Sequence, residues 1–179
     1  MEPLLQVKNL KKYFPTKSGM LHAVDNVSFT IEQGKTLGVV GESGCGKSTL
    51  GRVVLHLLPA TSGEILFDGK DISNPSKAEL HDLRRNMQMV FQDPYSSINP
   101  RQSVAEIIGE PLKVYKICKT KEEYDARVKQ LMEIVGLPER YEHSYPHELD
   151  GGRRQRIGIG RALALQLKFI VCDEPVSAL

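Results

Sequence analysis

The stretch Gly41-Glu42-Ser43-Gly44-Cys45-Gly46-Lys47-Ser48 fits the pattern G-x-x-x-x-G-K-[ST] and constrains the fold more than any other part of the chain. A loop of this kind works between a buried strand and a helix, and the sequence supplies both. Ahead of it, Thr36-Leu37-Gly38-Val39-Val40 is a short apolar run with β-branched residues, which predicts a buried strand. Behind it, Ser48 to Leu58 predicts a helix stopped by Pro59. The glycines tolerate backbone angles that a Cβ forbids, so amide N–H groups can turn inward around a polyphosphate. The helix N-terminus adds partial positive charge at the same place. Lys47 supplies a full charge to the outer phosphates, and Ser48 offers a hydroxyl to a magnesium ion. This chemistry selects a nucleoside triphosphate, ATP or GTP, without saying what its energy drives.

Whole-chain properties narrow the setting. A chain of 179 residues is long enough for one domain with a sizeable core. Lys and Arg number 24 against 22 Asp and Glu, a net charge of +2, which gives no reason to propose a nucleic-acid partner. The apolar runs are too short to cross a bilayer, and Met1-Glu2-Pro3-Leu4-Leu5 lacks the basic flank and long apolar core of a signal peptide. The expectation is a soluble protein that stays where it is made. Cys45, Cys118 and Cys172 form neither a metal pattern nor a disulfide framework, which predicts a reducing cytosol.

Along the chain, the region from Leu5 to Leu10 and the region from Ala23 to Ile31 alternate apolar and polar residues, predicting two strands of an antiparallel flap beside a parallel core. Between them, Tyr13 and Phe14 beside Lys11 and Lys12 could place a ring against a base, or could simply be packing. Glu64 to Phe67 predicts a strand that turns at Asp68-Gly69. Ser76 and Glu79 are spaced as a capping box opening a short helix, and Asn86 to Phe91 is another apolar strand, ending before Pro94. From Arg101 to about Pro138 the period becomes helical. Val104, Ile107 and Ile108 share one face. Thr120 and Glu123 form a second predicted box, Tyr124, Val128, Leu131 and Val135 a stripe, and Gly136 a C-cap. After Asp150 to Arg156 a helix carries Ile157, Ile159, Ala162, Leu163 and Leu165. Phe169 to Cys172 is an apolar strand ending in Asp173-Glu174. Two acids at such a strand end suit a second half-site, the first holding magnesium through water and the second polarising an attacking water. His143 and His147 have Pro146 between them and are expected to be loop histidines rather than metal ligands.

With these motifs in place, the chain resembles the nucleotide-binding subunit of an ATP-binding cassette (ABC) transporter. The resemblance rests on the order of Gly41–Ser48, Gln92 after an apolar strand, Leu149-Asp150-Gly151-Gly152-Arg153 followed by Gln155-Arg156, and Phe169–Glu174, and it covers the whole chain. The wording Phe91 to Arg101, Tyr145 to Glu148 and Cys172 to Leu179 is similar to the oligopeptide and dipeptide importer branch, which nickel importers share. The fold implied is α/β: a P-loop core with a parallel sheet, an N-terminal antiparallel flap and an inserted helical subdomain. As one domain over 1–179, it divides into flap and P-loop core (1–92), helical subdomain (about 93–148), and signature helix with the acidic strand (149–179).

The resemblance also implies roles. Gly41, Glu42, Ser43, Gly44, Cys45, Gly46, Lys47, Ser48 and Thr49 would hold the phosphates of ATP. Ser48, Gln92 and Asp173 would arrange Mg2+. Glu174 would be the general base, and Gln92 would sense the γ-phosphate. Leu10 and Lys12 point to Phe14 as the base-stacking ring, with Tyr13 as the alternative. Two such domains sandwich two ATP molecules, each P-loop facing Asp150, Gly151, Gly152 and Arg153 or their equivalents on the other subunit. The implied partners are integral-membrane permease subunits docked by the helical block, a second related ATPase subunit, and indirectly an extracytoplasmic substrate-binding protein. The implied place is the cytoplasmic face of the cell membrane.

Two departures from the family pattern stand out. Asp150 and Arg153 occupy positions where the usual signature has Ser and Gln. An aspartate facing a phosphate about 4 Å away, at an effective dielectric near 20, is repelled by roughly 4 kcal/mol, and Arg153 would offset part of that if it reaches the same oxygen. A weak site at this signature, beside a normal one, would suit a heterodimer. The family pattern also continues past Leu179 with an aspartate, another strand and a histidine, so the expectation for this chain alone is nucleotide binding with little or no hydrolysis. A catalytically inactive remnant and a non-transport ABC ATPase are the alternative readings.

Overall fold

In a computed structural model the described residues are 3–93 and 97–174. They form two compact units, Met1–Leu83 and Arg84–Leu179.

The first unit is built on an antiparallel sheet of order β2-β1-β3-β4. Its strands are β1 (Leu5–Thr16), β2 (Gly19–Ile31), β3 (Ser62–Phe67) and β4 (Lys70–Asp71). Alternation buries Leu5 and Val7 of β1, and a register shift at Asn9 (φ 48°) brings Leu10 inward as well, with Ile65 and Phe67 of β3 and Val53 and Val54 of helix α1 (Lys47–Val54) also buried. The β3–β4 turn falls at Asp68 and Gly69, with φ of 51° and 74°, the pair of left-handed residues that a tight hairpin needs. At Gly63 (φ 107°) the chains run so close that an ideal Cβ would sit 2.6 Å from Leu10 Cα. Helix α2 (Lys77–Asn86) opens with the expected box: Glu79 N donates to Ser76 Oγ, and Ser76 N donates to a Glu79 carboxylate oxygen.

Two expectations for this unit are corrected. Thr36–Val40 joins no ladder with any described strand, and Leu37, Val39 and Val40 are 43%, 48% and 93% exposed. Its composition suits a strand, but a strand exists only through pairing, and neither sheet of the described residues includes it. Helix α1 ends well before Pro59. His56 (φ 53°) takes the left-handed position after the C-cap, where glycine is commonest, and its N–H reaches Val53 O while Leu57 N–H reaches Arg52 O.

The second unit pairs β5 (Met87–Val90) with β6 (Phe169–Cys172) in parallel, in register from Met87↔Phe169 to Val90↔Cys172. Between them lie α3 (Val104–Val114), α4 (Lys121–Ile134) and α5 (Gly151–Leu163). Their predicted stripes meet in one core: Val104, Ile107, Ile108 and Leu112 of α3, Val128, Leu131 and Met132 of α4, and Ile157 of α5. Close approach of α3 and α4 depends on Gly109, where a Cβ would fall 2.0 Å from the Tyr124 hydroxyl. Ser103 and Glu106 form a reciprocal box on α3. The box predicted at Thr120 is half formed: its hydroxyl accepts from Glu123 N, but the Glu123 carboxylate reaches back to Lys119 N instead. Gly136 (φ 68°) closes α4 as expected. Helix α5 starts earlier than the pattern of apolar residues suggests, because Asp150 caps it.

Candidate functional site

The glycine loop belongs to the first unit. Gly44 (φ 80°) and Gly46 (φ 101°) take left-handed angles, and a Cβ on Gly46 would lie 2.0 Å from Ala23 O. Position 46 therefore needs glycine twice over, for its angle and for its approach to β2. Gly46 is also the N-cap of α1 and offers no side-chain acceptor, and the first turn carries no acid. The orphan N–H groups of α1 are thus left without an internal anion, the condition a phosphate requires. Lys47 Nζ folds back over the loop, donating to Gly41 O at 2.9 Å and Glu42 O at 2.8 Å. The ammonium is held against the loop backbone. Ser48 and Thr49 follow in the first turn of the helix. Loop, helix end and lysine fit a polyphosphate.

On the β1–β2 flap the two candidate rings differ in their commitments. The Tyr13 ring stacks on His22 with centroids 3.8 Å apart, and its hydroxyl donates to Asp25 at 2.5 Å. That bond lowers the Asp25 pKa from its usual range and raises that of Tyr13. The face of Phe14 carries the Lys12 ammonium, 4.9 Å from the ring centre.

In the second unit, strand register assembles the polar end of the sheet. Because Val90 pairs with Cys172, Gln92 and Glu174 emerge level with each other, and Gln92 Nε2 donates to Glu174 Oε2 at 2.6 Å. Glu174 is held at φ 46°. Asp173 is 8% exposed, and its N–H extends the ladder to Val90 O at 2.9 Å. The two acids thus divide between a sheltered and an open position.

Helix α5 carries the Asp150–Arg153 stretch at its N-terminus. Asp150 accepts from Arg153 N at 2.8 Å as N-cap, and its other carboxylate oxygen is paired with the Arg153 guanidinium. That guanidinium also lies 5.0 Å over the Tyr141 ring. The carboxylate is accordingly not a bare charge: Arg153, which the sequence offers as a partial offset, is paired with it one helical turn away. Gly151 and Gly152 form the start of the helix between them. Sequence reading gave no bonds to three further side chains of α5. Gln155 Nε2 donates to Phe91 O at 3.4 Å, Arg156 Nη1 to Val135 O at 3.0 Å, and Arg161 Nη1 to Ser97 O at 2.6 Å. The available signal is polarity at helix positions buried with Ile157 and Ala162. Among the described residues no group of three or more His, Cys, Asp or Glu could hold a metal ion.

A glycine loop at a helix start with no side-chain cap and no acid in its first turn, and an acid paired to a glutamine across parallel strands, define a P-loop domain of the nucleoside-triphosphate-binding class. The chain belongs to the ABC transporter family, whose model matches residues 24–177. It is 54% identical over 179 residues to the oligopeptide transport ATP-binding protein OppF of Bacillus subtilis (strain 168), covering 99% of this chain and 59% of that relative. With AppF of the same organism, also an oligopeptide transport ATP-binding protein, identity is 50% over 186 residues, covering 99% and 56%. The chain thus spans somewhat over half the length of these relatives. Among solved structures it is similar to the ATP-binding cassette MJ0796, determined as a dimer in a post-hydrolysis state with ADP and Pi, at TM-score 0.91 and 30% identity over 98% of this chain and 75% of that one.

Proposed function

We propose that this chain supplies the ATP-binding and ATP-hydrolysing part of an ABC importer for oligopeptides or dipeptides. The observation that supports the hydrolytic assignment is the Gln92–Glu174 hydrogen bond at the ends of β5 and β6, since an oriented carboxylate suits a general base. The uncapped start of α1 and Lys47 bind the phosphates, with Ser48 and Thr49 in the first turn. Mg2+, when bound, neutralises charge on the β- and γ-phosphates. Ser48, Gln92 and Asp173 are the residues that would hold it. Glu174 takes the proton of the attacking water, and Gln92 orients that carboxylate. Phe14 stacks the base, since the Tyr13 ring and hydroxyl are committed to His22 and Asp25.

On this reading the α3–α4 block docks on permease subunits at the cytoplasmic face of the membrane. Among the described residues no helix is long and apolar enough to cross it. A second, related ATPase subunit completes the sandwich, with Asp150, Gly151, Gly152 and Arg153 facing its nucleotide. A substrate-binding protein delivers the peptide from outside. The test is magnesium-dependent ATP turnover by the chain, with and without permease subunits, beside Glu174→Gln. Turnover abolished by the substitution supports the assignment. Turnover unaffected by it, or absent even in the assembled complex, rejects it.

A further inference from the structure

Gln155 and Arg161 are polar side chains packed into an apolar helix interface. Gln155 is 1% exposed, and burial pushes the Arg161 guanidinium pKa down, with Glu110 of α3 the acid that opposes this. Packing alone does not call for such residues: apolar replacements of similar volume are commonly tolerated at buried polar positions. What the two share is their acceptors. Gln155 donates to the carbonyl of Phe91, immediately before Gln92, and Arg161 donates to the carbonyl of Ser97, on the other side of the stretch 92–96 in sequence. Both bonds reach across 64 residues. Arg156, between them on the same helix, binds Val135 O and Gly136 O at the end of α4, fixing α5 to the helical block.

We propose that Gln155 and Arg161 are positioning residues that fasten both flanks of the Gln92 stretch to α5, so that the placement of Gln92 against Glu174 follows the helix that carries Asp150 and Arg153. The kinetic half of the proposal rests on the hydrolytic role given above to Gln92 and Glu174; the structural half does not.

Hydrogen exchange on the purified chain tests the fastening directly. Gln155→Leu and Arg161→Met should each speed exchange in peptides covering 91–98 by about tenfold, the scale of one hydrogen bond to a charged or buried group, while α4 peptides stay unchanged. Arg161→Lys, which keeps a donor, should recover most of the protection even if the Met variant folds poorly. In the complex with permease, the truncating variants should lower kcat by about tenfold with KM for ATP within about twofold, as loss of a transition-state contact requires. Unchanged exchange at 91–98, an equal rise across α3 to α5, or a rise in KM alone would overturn the proposal. If even the unsubstituted complex hydrolyses no ATP, the functional assignment falls while the exchange data still decide the fastening.

Discussion

Replacing Arg153 by glutamine asks whether the two unusual residues at the start of α5 offset each other. A carboxylate about 4 Å from a phosphate charge, at an effective dielectric near 20, costs roughly 4 kcal/mol, and a guanidinium at the same separation returns a similar amount. Arg153 is paired with Asp150 and rests on Tyr141, so the folded chain presents the two charges together. Arg153→Gln removes only the compensation. Screening and partial exposure reduce the cost, leaving an expected fall in turnover of about tenfold, since each decade corresponds to about 1.4 kcal/mol. The pair itself is exposed and contributes at most about 1 kcal/mol to folding, so the melting temperature should hardly move. Asp150→Ser keeps a side-chain cap and removes the negative charge, whereas Asp150→Ala loses the cap at about 1 kcal/mol, or about 2–4 °C. The assay is ATP turnover of the assembled complex beside thermal melting for all three variants and for Asp150→Ser with Arg153→Gln. The double variant should exceed the unsubstituted protein. If Arg153→Gln alone matches or exceeds it, the charges do not face the nucleotide and the reasoning is refuted.

Three further outcomes are expected. The Lys70 ammonium, 2.7 Å from Glu79, and the Ser76 bonds hold the Glu79 pKa down from 4.5 to about 2. Its stabilising contribution is therefore present above about pH 4.5 and lost as the pH falls towards 2; in Lys70→Met, an NMR titration of Glu79 should move upward, and an unmoved midpoint would deny Lys70 that role. Leu131→Ala, at a fully buried position shared by α3, α4 and α5, should cost about 2–5 kcal/mol in denaturant unfolding, and a loss below about 1 would mean the core closes over the cavity. Gly63→Ala should destabilise by at least about 1–3 kcal/mol, because its Cβ meets Leu10 and Asn9 backbone at a left-handed angle; a neutral Tm would show that β1 and β3 can part there.

Local punctuation made much of this structure legible before any coordinates. Asp68-Gly69, Ser76 with Glu79, and Gly136 act through neighbours a few residues away, and each does what its chemistry predicts. The helical stripes also survive, because Val104, Ile107, Val128 and Leu131 have one apolar face to bury. What the sequence hid depends on distant partners or on the less common choice at a position. Thr36–Val40 has a strand's composition and no ladder with any described strand. His56 closes α1 where a glycine would have announced the end. Asp150 and Arg153 sit three apart, a spacing that already allows them to pair on a helix, but only the cap at Asp150 shows that the helix begins there. The left-handed turns at Gly44 and Gly46 are local and follow from the pattern of the loop, whereas the Gln92–Glu174 bond spans 82 residues and follows from the register of two strands.

The unladdered run from Thr36 to Val40 bears on how this chain behaves as a solute. With Val40 almost wholly in water and Leu37 and Val39 nearly half so, the run is a ready template for any other extended backbone it meets.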